Sequence, residues 1–167
     1  GWIDHGLEIG EVELVSKGGE AYVVFTVEDK DYDPELEIKK EIDRREGLIN
    51  ASGLPSEMSP LLLAADSFVV KRENHSTIIA GYHWFTDWGR DSLISLPGLL
   101  LVTRRFDDAK SLLLNLSGYM YKGLVSNAFT ERENTPIYNS VDASLWFVDR
   151  VYQYLKYTND MELLKDI

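Results

Sequence analysis

The chain has 167 residues, with 17 Lys and Arg against 28 Asp and Glu, which gives a formal net charge of −11 at pH 7. A hydrophobic fraction of 44% is typical of a folded domain. The acidic charge argues against a nucleic-acid or anionic-membrane partner, because phosphate binding needs clustered Lys and Arg. The absence of cysteine excludes disulfides, thiolate catalysis and cysteine-ligated metal sites.

The sequence contains no pattern of a targeting or membrane segment. Residues 1–10 are acidic and lack the apolar stretch of a signal peptide. The longest apolar runs, near residues 61–65 and 99–102, are too short to span a bilayer. We therefore expect a cytoplasmic protein with no membrane partner.

The first thirty residues predict β structure. Residues 11–15 alternate polar and apolar types, residues 21–27 are rich in β-branched and aromatic types, and Lys17-Gly18-Gly19-Glu20 between them is a turn signal. A hairpin alone is only marginally stable in water. We therefore expect residues 1–30 to be the end of a β-rich N-terminal domain.

Residues 31–57 predict a charged linker helix and a loop. Pro34 suits the first helical position after Asp33 as the cap, and the helical pattern runs to Arg45. Its apolar positions form only a thin stripe, which predicts a helix on a surface.

From residue 58 onward the pattern is helical. Helices are predicted over residues 59–70, 91–105, 107–122 and 141–158, with a last one from about residue 160. In the helix over 141–158, apolar residues at helical spacing form one stripe: Val141, Leu145, Val148, Tyr152 and Leu155. Two long connections remain, residues 80–90 and 125–140, and long ordered loops are common places for binding and catalysis.

The first candidate motif is Trp84-Phe-Thr-Asp-Trp-Gly-Arg-Asp91. Aromatic faces stack on the C–H faces of sugar rings, while the guanidinium of Arg90 and the carboxylate of Asp91 are suited to vicinal hydroxyls. A structural interpretation stays open. Asp91 is then a helix cap or first-turn acid, Arg90 is its surface partner and the tryptophans are core residues.

The second candidate motif is Tyr138-Asn-Ser-Val-Asp-Ala-Ser-Leu-Trp146. Asn139 or Ser140 is a natural cap, which puts Asp142 in the first turn of a helix with Trp146 four residues later. An aromatic wall removes water from a carboxyl group and raises its pKa, as a general acid for a glycosidic oxygen requires. The alternative is that the helix dipole favours the ionised form and lowers the pKa.

Other polar residues give weaker indications. Glu131 and Glu133 either line a cleft or keep their loop solvated. His5, His75 and His83 have no metal-ligand spacing, so no histidine metal site is predicted. His83 is either a hydroxyl partner for a ligand or a packed ring. Neither a Gly-rich phosphate loop nor a Gly-x-Ser-x-Gly element is present.

Two motifs carry a resemblance to a known family. Trp88-Gly-Arg-Asp-Ser92, reached after Trp84, resembles a signature of the amylo-α-1,6-glucosidase domain of glycogen debranching enzymes, and Asn139-Ser-Val-Asp-Ala-Ser-Leu-Trp-Phe147 resembles a second one. The first motif is also similar to the Trp-x-Arg-Asp element of glucoamylases. The resemblance implies a mainly α fold. Residues 58–167 are then the first helices of an (α/α)6 toroid, preceded by a short β-hairpin from the β-rich domain.

The resemblance implies an inverting hydrolase of α-1,6-linked glucose stubs, with glycogen or another branched α-glucan as its partner. Asp142 matches the acidic position of the second motif and is the implied catalytic proton donor, with Glu131 or Glu133 as the fallback. Acid–base cleavage of a glycoside needs neither a metal nor an organic cofactor, so none is expected. The implied substrate-binding residues are Trp84, Trp88, Arg90, Asp91 and Asn139.

The resemblance also implies that this chain is a fragment. About five of the twelve toroid helices are predicted here, and the family's general base lies downstream. We therefore expect the chain alone to be inactive and its main partner to be the remainder of the same polypeptide. Residues 99–102 and 112–116 are expected to pack against missing helices, so that the isolated chain self-associates or is partly molten.

Two other classes of function stay open. The chain can be a non-catalytic carbohydrate-binding helical module that uses the aromatic loop without the donor. It can also be a helical interaction domain in which the tryptophans are core residues. Within enzymes, a glucoamylase or trehalase relative is the main rival.

Overall fold

The computed structural model describes residues 22, 24, 29–72, 74–129 and 135–167. The expected hairpin of residues 11–27 therefore lies outside the described residues, apart from two isolated positions. His5, Glu131 and Glu133 lie outside them as well. The chain divides into two compact units, residues 1–42 and 43–167.

The first helix, α1 (Pro34–Ser52), begins where the sequence predicts. The side chain of Asp33 accepts a hydrogen bond from the Leu36 N–H at 3.2 Å, so Asp33 caps the helix and Pro34 fills its first position. The helix is longer than predicted. Its apolar residues in the first unit are about half exposed, as expected for a surface helix: Leu36, Ile38 and Ile42.

A small antiparallel sheet follows the short helix α2 (Ser59–Asp66). Its strands are β1 (Val69–Arg72), β2 (His75–Gly81) and β3 (Phe85–Asp87), in the order β1-β2-β3. Val69 lies opposite Ile78, and Ile79 lies opposite Asp87.

This sheet corrects two predictions. The helix predicted to residue 70 ends at Asp66, and the connection 80–90 is largely strand and turn. The physical reason is the concentration of β-branched residues in Val69-Val70 and Thr77-Ile78-Ile79, which pack well on a pleated surface.

The remaining helices agree well with the predicted ones. They are α3 (Gly89–Leu96), continued by a π-helical turn (Pro97–Leu101), then α4 (Phe106–Gly118), α5 (Ala143–Thr158) and α6 (Leu163–Asp166). Between α4 and α5, β4 (Ala128–Phe129) pairs antiparallel with β5 (Pro136–Ile137). The mainly α prediction is confirmed, and the helices with their small sheet fit part of a helical toroid. None of the helices in the described ranges is both long and apolar enough to cross a membrane.

The core of the second unit lies where β2, α3, the π-helical turn, α4 and α5 meet. The expectation that residues 99–102 and 112–116 are uncovered is wrong for most of them. Leu100, Leu101 and Leu113 are fully buried, and Leu112 and Leu116 are nearly so. These leucines already pack in the core of this chain, where the π-helical turn and α4 meet their neighbouring elements.

The uncovered apolar surface lies on α5 instead. Four of the five stripe residues are 60–93% exposed: Val141, Leu145, Val148 and Tyr152. The buried side of α5 carries Ala143, Phe147, Val151 and Tyr154. The helix therefore has apolar residues on two faces, and the predicted stripe is the outer one.

A charge network joins four elements of the second unit. Arg44 on α1 and Arg105 before α4 each lie 2.6 Å from the carboxylate of Asp66 on α2. Arg105 also contacts Asp108 at 2.8 Å, and the Ser76 hydroxyl on β2 donates to the same carboxylate. Burial by itself raises the pKa of Asp66, but the hydrogen bonds and charges of Arg44 and Arg105 lower it overall.

Candidate functional site

The two predicted motifs meet through one ion pair. Arg90 is the second residue of α3 and Asp142 directly precedes α5, 52 positions later. The Arg90 Nε lies 2.9 Å from both carboxylate oxygens of Asp142, so one N–H is shared between them. The Arg90 side chain is 45% exposed and that of Asp142 is 41% exposed. The pair is therefore accessible to a ligand.

Two more side chains donate to the Asp142 carboxylate. The Ser140 hydroxyl donates to Oδ1 at 2.8 Å, and the Trp146 indole N–H donates to Oδ2 at 3.2 Å. Ser140 Oγ also accepts from the Ala143 N–H at 3.3 Å and so caps the start of α5. The same turn thus starts the helix and holds the carboxylate.

These donors lower the pKa of Asp142 to about 2, with the hydrogen bond from Ser140 as the largest cause and that from Arg90 next. The expectation that Trp146 raises this pKa is therefore wrong. Its indole meets the carboxylate with the polar N–H edge rather than with the apolar face, and a hydrogen bond to the charged form favours ionisation. Asp142 is a carboxylate at neutral pH.

The motif glycine permits a close backbone approach. The Gly89 N–H donates to the carbonyl of Asn127 at 2.7 Å. A Cβ on Gly89 would lie only 2.2 Å from the carbonyl oxygen of Ser126. Only glycine lets the start of α3 lie this close to the segment before β4.

Asn127 links this approach to the second motif, and the sequence analysis did not single it out. Its Oδ1 accepts from the Arg90 backbone N–H at 3.0 Å, and its Nδ2 donates to Oδ1 of Asn139 at 2.9 Å. Its position in the connection 125–140, which collects asparagines, is the only sequence signal that points to it. No spacing rule connects it to Arg90.

A buried arginine packs against the ring of Trp146. The guanidinium carbon of Arg150 lies 4.6 Å from the centroid of the Trp146 ring. Arg150 also donates to the Leu93 carbonyl at 2.8 Å and to Asp149 at 2.7 Å. The indole that holds Asp142 is therefore itself packed against a fixed cation.

The other predicted residues of the first motif, Trp84, Trp88 and Asp91, lie in three different surroundings. Trp84 lies in the turn between β2 and β3, is 80% exposed, and meets His83 edge-on at 6.4 Å between ring centroids. Trp88 directly precedes α3 and is half-buried. Asp91 lines an apolar cleft of about 390 Å³ between β2 and α3. The structure thus pairs Arg90 with Asp142 rather than with Asp91, and it connects Asn139 to the Arg90 backbone through Asn127.

The arrangement suits polar, uncharged ligands rich in hydroxyls. The Arg90 guanidinium and the Asp142 carboxylate are in contact, and the amide of the exposed residue Asn139 adds a further donor and acceptor. Within the described ranges, no three His, Asp or Glu side chains lie close enough together to share a metal ion.

Comparison with known proteins agrees with both motifs. Residues 63–167 match the family model described as amylo-alpha-1,6-glucosidase, and this range includes the whole contact cluster around Asp142. A glycogen debranching enzyme of Saccharomyces cerevisiae is 36% identical over 99 aligned residues, which cover 56% of this chain. The chain spans only 6% of the length of that relative. The resemblance stated from the motifs is confirmed, and the chain belongs to the amylo-α-1,6-glucosidase family.

Proposed function

We propose that this chain supplies part of the glucosidase site of a longer glycogen debranching enzyme. That enzyme removes α-1,6-linked glucose stubs from a branched α-glucan by inverting hydrolysis. The observation that carries the proposal is the contact of Arg90 with Asp142, since it joins the two family motifs at an accessible surface. The family match over residues 63–167 supports it.

The cluster around Asp142 binds the terminal glucose in this proposal. Arg90 and Asn139 offer donors and acceptors to its hydroxyls, and Asp91 contributes from the neighbouring position of α3. Trp84 and Trp88 provide aromatic faces for the C–H side of the sugar. The 80% exposure of Trp84 leaves its ring accessible for such stacking.

Asp142 is the proton donor in this proposal, which requires its pKa to rise when glucan binds. Sugar hydroxyls compete for the N–H of Arg90, the bound sugar excludes water, and a second carboxylate opposite adds a like charge. Each of these changes favours the protonated form. Proton uptake thus accompanies substrate binding.

The chemical step follows from two carboxyl groups on opposite sides of the sugar. Asp142 gives its proton to the glycosidic oxygen as the bond from that oxygen to the anomeric carbon breaks. Water attacks the anomeric carbon from the other face and passes its proton to the general base. Inversion requires that base about 6.5–9.5 Å from the donor, with water between them.

We expect the 167-residue chain alone to bind the glucan without hydrolysing it. The family resemblance implies that the general base lies downstream of these residues in the complete enzyme, and inversion needs both carboxyl groups.

The low pKa of Asp142 favours a second candidate role. A permanent carboxylate paired with Arg90 is well suited to hold vicinal hydroxyls, as in a non-catalytic carbohydrate-binding module. In that case Asp142 contributes to binding and another group provides the proton.

Two substrates separate these roles in the complete enzyme. Asp142→Asn is expected to lose about 10²–10⁴-fold in kcat on an α-1,6-branched oligosaccharide, because that leaving group needs protonation. It is expected to retain most activity on α-glucosyl fluoride, whose leaving group needs little protonation. Equal losses on both substrates, expressed mainly in KM, contradict the donor role and support the binding role.

The matched control is Asp107→Asn, which alters another exposed acid in the first turn of a helix, α4. It is expected to leave both activities unchanged.

Products from α-1,4-linked and α-1,6-linked oligosaccharides separate a debranching glucosidase from a glucoamylase-like hydrolase.

A further inference from the structure

Asn127 is a buried side chain placed between the two family motifs. The residue is only 6% exposed, and both ends of its amide form hydrogen bonds. A buried amide with satisfied partners holds its neighbours in a fixed geometry, since breaking either bond leaves an unpaired polar group.

On one side Asn127 holds the start of α3. Its side-chain oxygen accepts from the Arg90 N–H at 3.0 Å, and its carbonyl accepts from the Gly89 N–H at 2.7 Å. The two successive peptide groups that lead to the Arg90 Cα are therefore both held by the same residue.

On the other side Asn127 holds the strand and loop that lead to Asp142. Its N–H donates to the carbonyl of Ile137 at 2.8 Å, and its side-chain amide donates to Asn139 at 2.9 Å. Asn127 thus connects the start of α3 to the residues that lead to Asp142 through four hydrogen bonds.

The ion pair itself is less able to set this distance. Arg90 and Asp142 are both more than 40% exposed, and an exposed ion pair holds its geometry weakly. We propose that Asn127 is the positioning residue of the site, which sets the separation between the Arg90 and Asp142 side chains. Its importance for the reaction rests on the proposed function, whereas its effect on Arg90 does not.

Nuclear magnetic resonance of the 167-residue chain at neutral pH tests the structural part. The side-chain N–H signals of Arg90 and Trp146 both report contact with the Asp142 carboxylate, and Asp142→Asn identifies them by removing that contact. We expect Asn127→Ala to abolish the exchange protection of the Arg90 Nε–H and to leave the Trp146 signal in place. The Trp146 contact persists because α5 itself holds that residue four positions from Asp142.

A conservative variant keeps the test independent of folding. Asn127→Asp retains an acceptor for the Arg90 N–H and is expected to retain the protected Arg90 signal. Adding Asp142→Asn to it must remove the signal, which excludes a new pair between Arg90 and residue 127. Asn115→Ala on α4 is the matched control and is expected to change neither signal.

Three results overturn the proposal. The first is an Arg90 signal that is unchanged in folded Asn127→Ala, and the second is loss of both the Arg90 and the Trp146 signals in that variant. The third is loss of the Arg90 signal in folded Asn127→Asp. If Asn127→Ala does not fold, Asn127→Asp decides alone.

The complete enzyme then tests the catalytic consequence. We expect Asn127→Ala to lower kcat more than it raises KM and to shift the basic limb of the pH profile, which the ionisation of the proton donor sets. An unchanged kcat in an enzyme that Asp142→Asn inactivates overturns the catalytic importance of Asn127. If Asp142→Asn leaves kcat of the complete enzyme unchanged, the proposed function is wrong, whereas the effect of Asn127 on the Arg90 signal is unaffected.

Discussion

The Nε–H of Arg150 on α5 donates to the backbone carbonyl of Leu93 on α3 at 2.8 Å. Pro97 stands four residues after Leu93 and has no N–H, so the normal helical partner of that carbonyl is missing. The helix widens here, and the Val102 N–H bonds five residues back to Pro97. Since Arg150 also packs on Trp146, the break at Pro97 is connected to the residue that holds Asp142.

Arg150→Met is expected to destabilise the chain by about 1–3 kcal/mol, because the Leu93 carbonyl loses its buried hydrogen bond from Arg150. Pro97→Ala restores an N–H at the helical position for this carbonyl. The double variant is therefore expected to be destabilised by less than the sum of the two single destabilisations, with a coupling energy of about 0.5–3 kcal/mol. Urea denaturation of the unmodified chain, the two single variants and the double variant measures this coupling energy.

The control for this cycle is Arg45→Met on α1, where the side chain is exposed and a change within about 0.5 kcal/mol is expected. Strictly additive effects of the two core substitutions contradict the idea that Arg150 replaces the missing N–H.

The low pKa of Asp142 predicts a particular pH dependence of stability. Its pKa is lowered from 3.8 to about 2 in the folded chain, so folding favours the ionised form. This contribution is fully present above about pH 4 and disappears as the pH falls through about 2. The difference in unfolding free energy between the chain and Asp142→Asn should be constant above pH 4 and shrink below it. Denaturation curves from pH 2 to 7 measure it, and a difference that stays constant throughout contradicts the lowered pKa.

The helices could be predicted because their signals are local. Asp33 followed by Pro34 determines where α1 begins, and periodic leucines mark α3 and α4. The sheet was not predicted, since Val69-Val70 continues an apolar run that suits either helix or strand. The choice is made by pairing with Thr77 and Ile78, which lie several residues away.

The candidate site was predictable only as far as its residues lie within one motif. Helical spacing brings Trp146 to Asp142, but it does not say that the indole N–H meets the carboxylate. The lowered pKa of Asp142 comes mainly from its hydrogen bonds with Ser140 and Arg90, to which the indole N–H adds. The contacts of Asn127 with Arg90 and of Arg150 with Leu93 join residues 37 and 57 positions apart. Only the folded chain reveals them.

Gly89→Ala is expected to damage the site through a backbone clash. Its Cβ would lie 2.2 Å from the Ser126 carbonyl, so α3 or the segment before β4 must shift. We expect destabilisation of about 1–3 kcal/mol, as for an overpacked core. The Arg90 Nε–H should also lose its protection. Gly98→Ala is the control, because no atom lies within 4 Å of its added Cβ. Equal stability of the two variants contradicts the close approach.

The outer face of α5 predicts self-association of the chain. Val141, Leu145, Val148 and Tyr152 recur at intervals of four, three and four residues and are all 60% or more exposed. A continuous apolar stripe of this kind favours contact with another apolar surface in water. Leu145→Glu combined with Val148→Glu is therefore expected to shift the chain toward monomer in sedimentation velocity experiments. Its thermal unfolding should remain cooperative, because the buried face of α5 is unchanged.

The control must add the same charge at exposed apolar positions away from the stripe. Met161→Glu combined with Leu164→Glu does so, since both residues are exposed and lie beyond α5. If this control dissociates the chain as strongly as the stripe variant, added charge rather than the α5 face is responsible. If the unmodified chain sediments as a monomer at every concentration, the exposed stripe alone does not drive association, because isolated apolar surface is tolerated in soluble proteins.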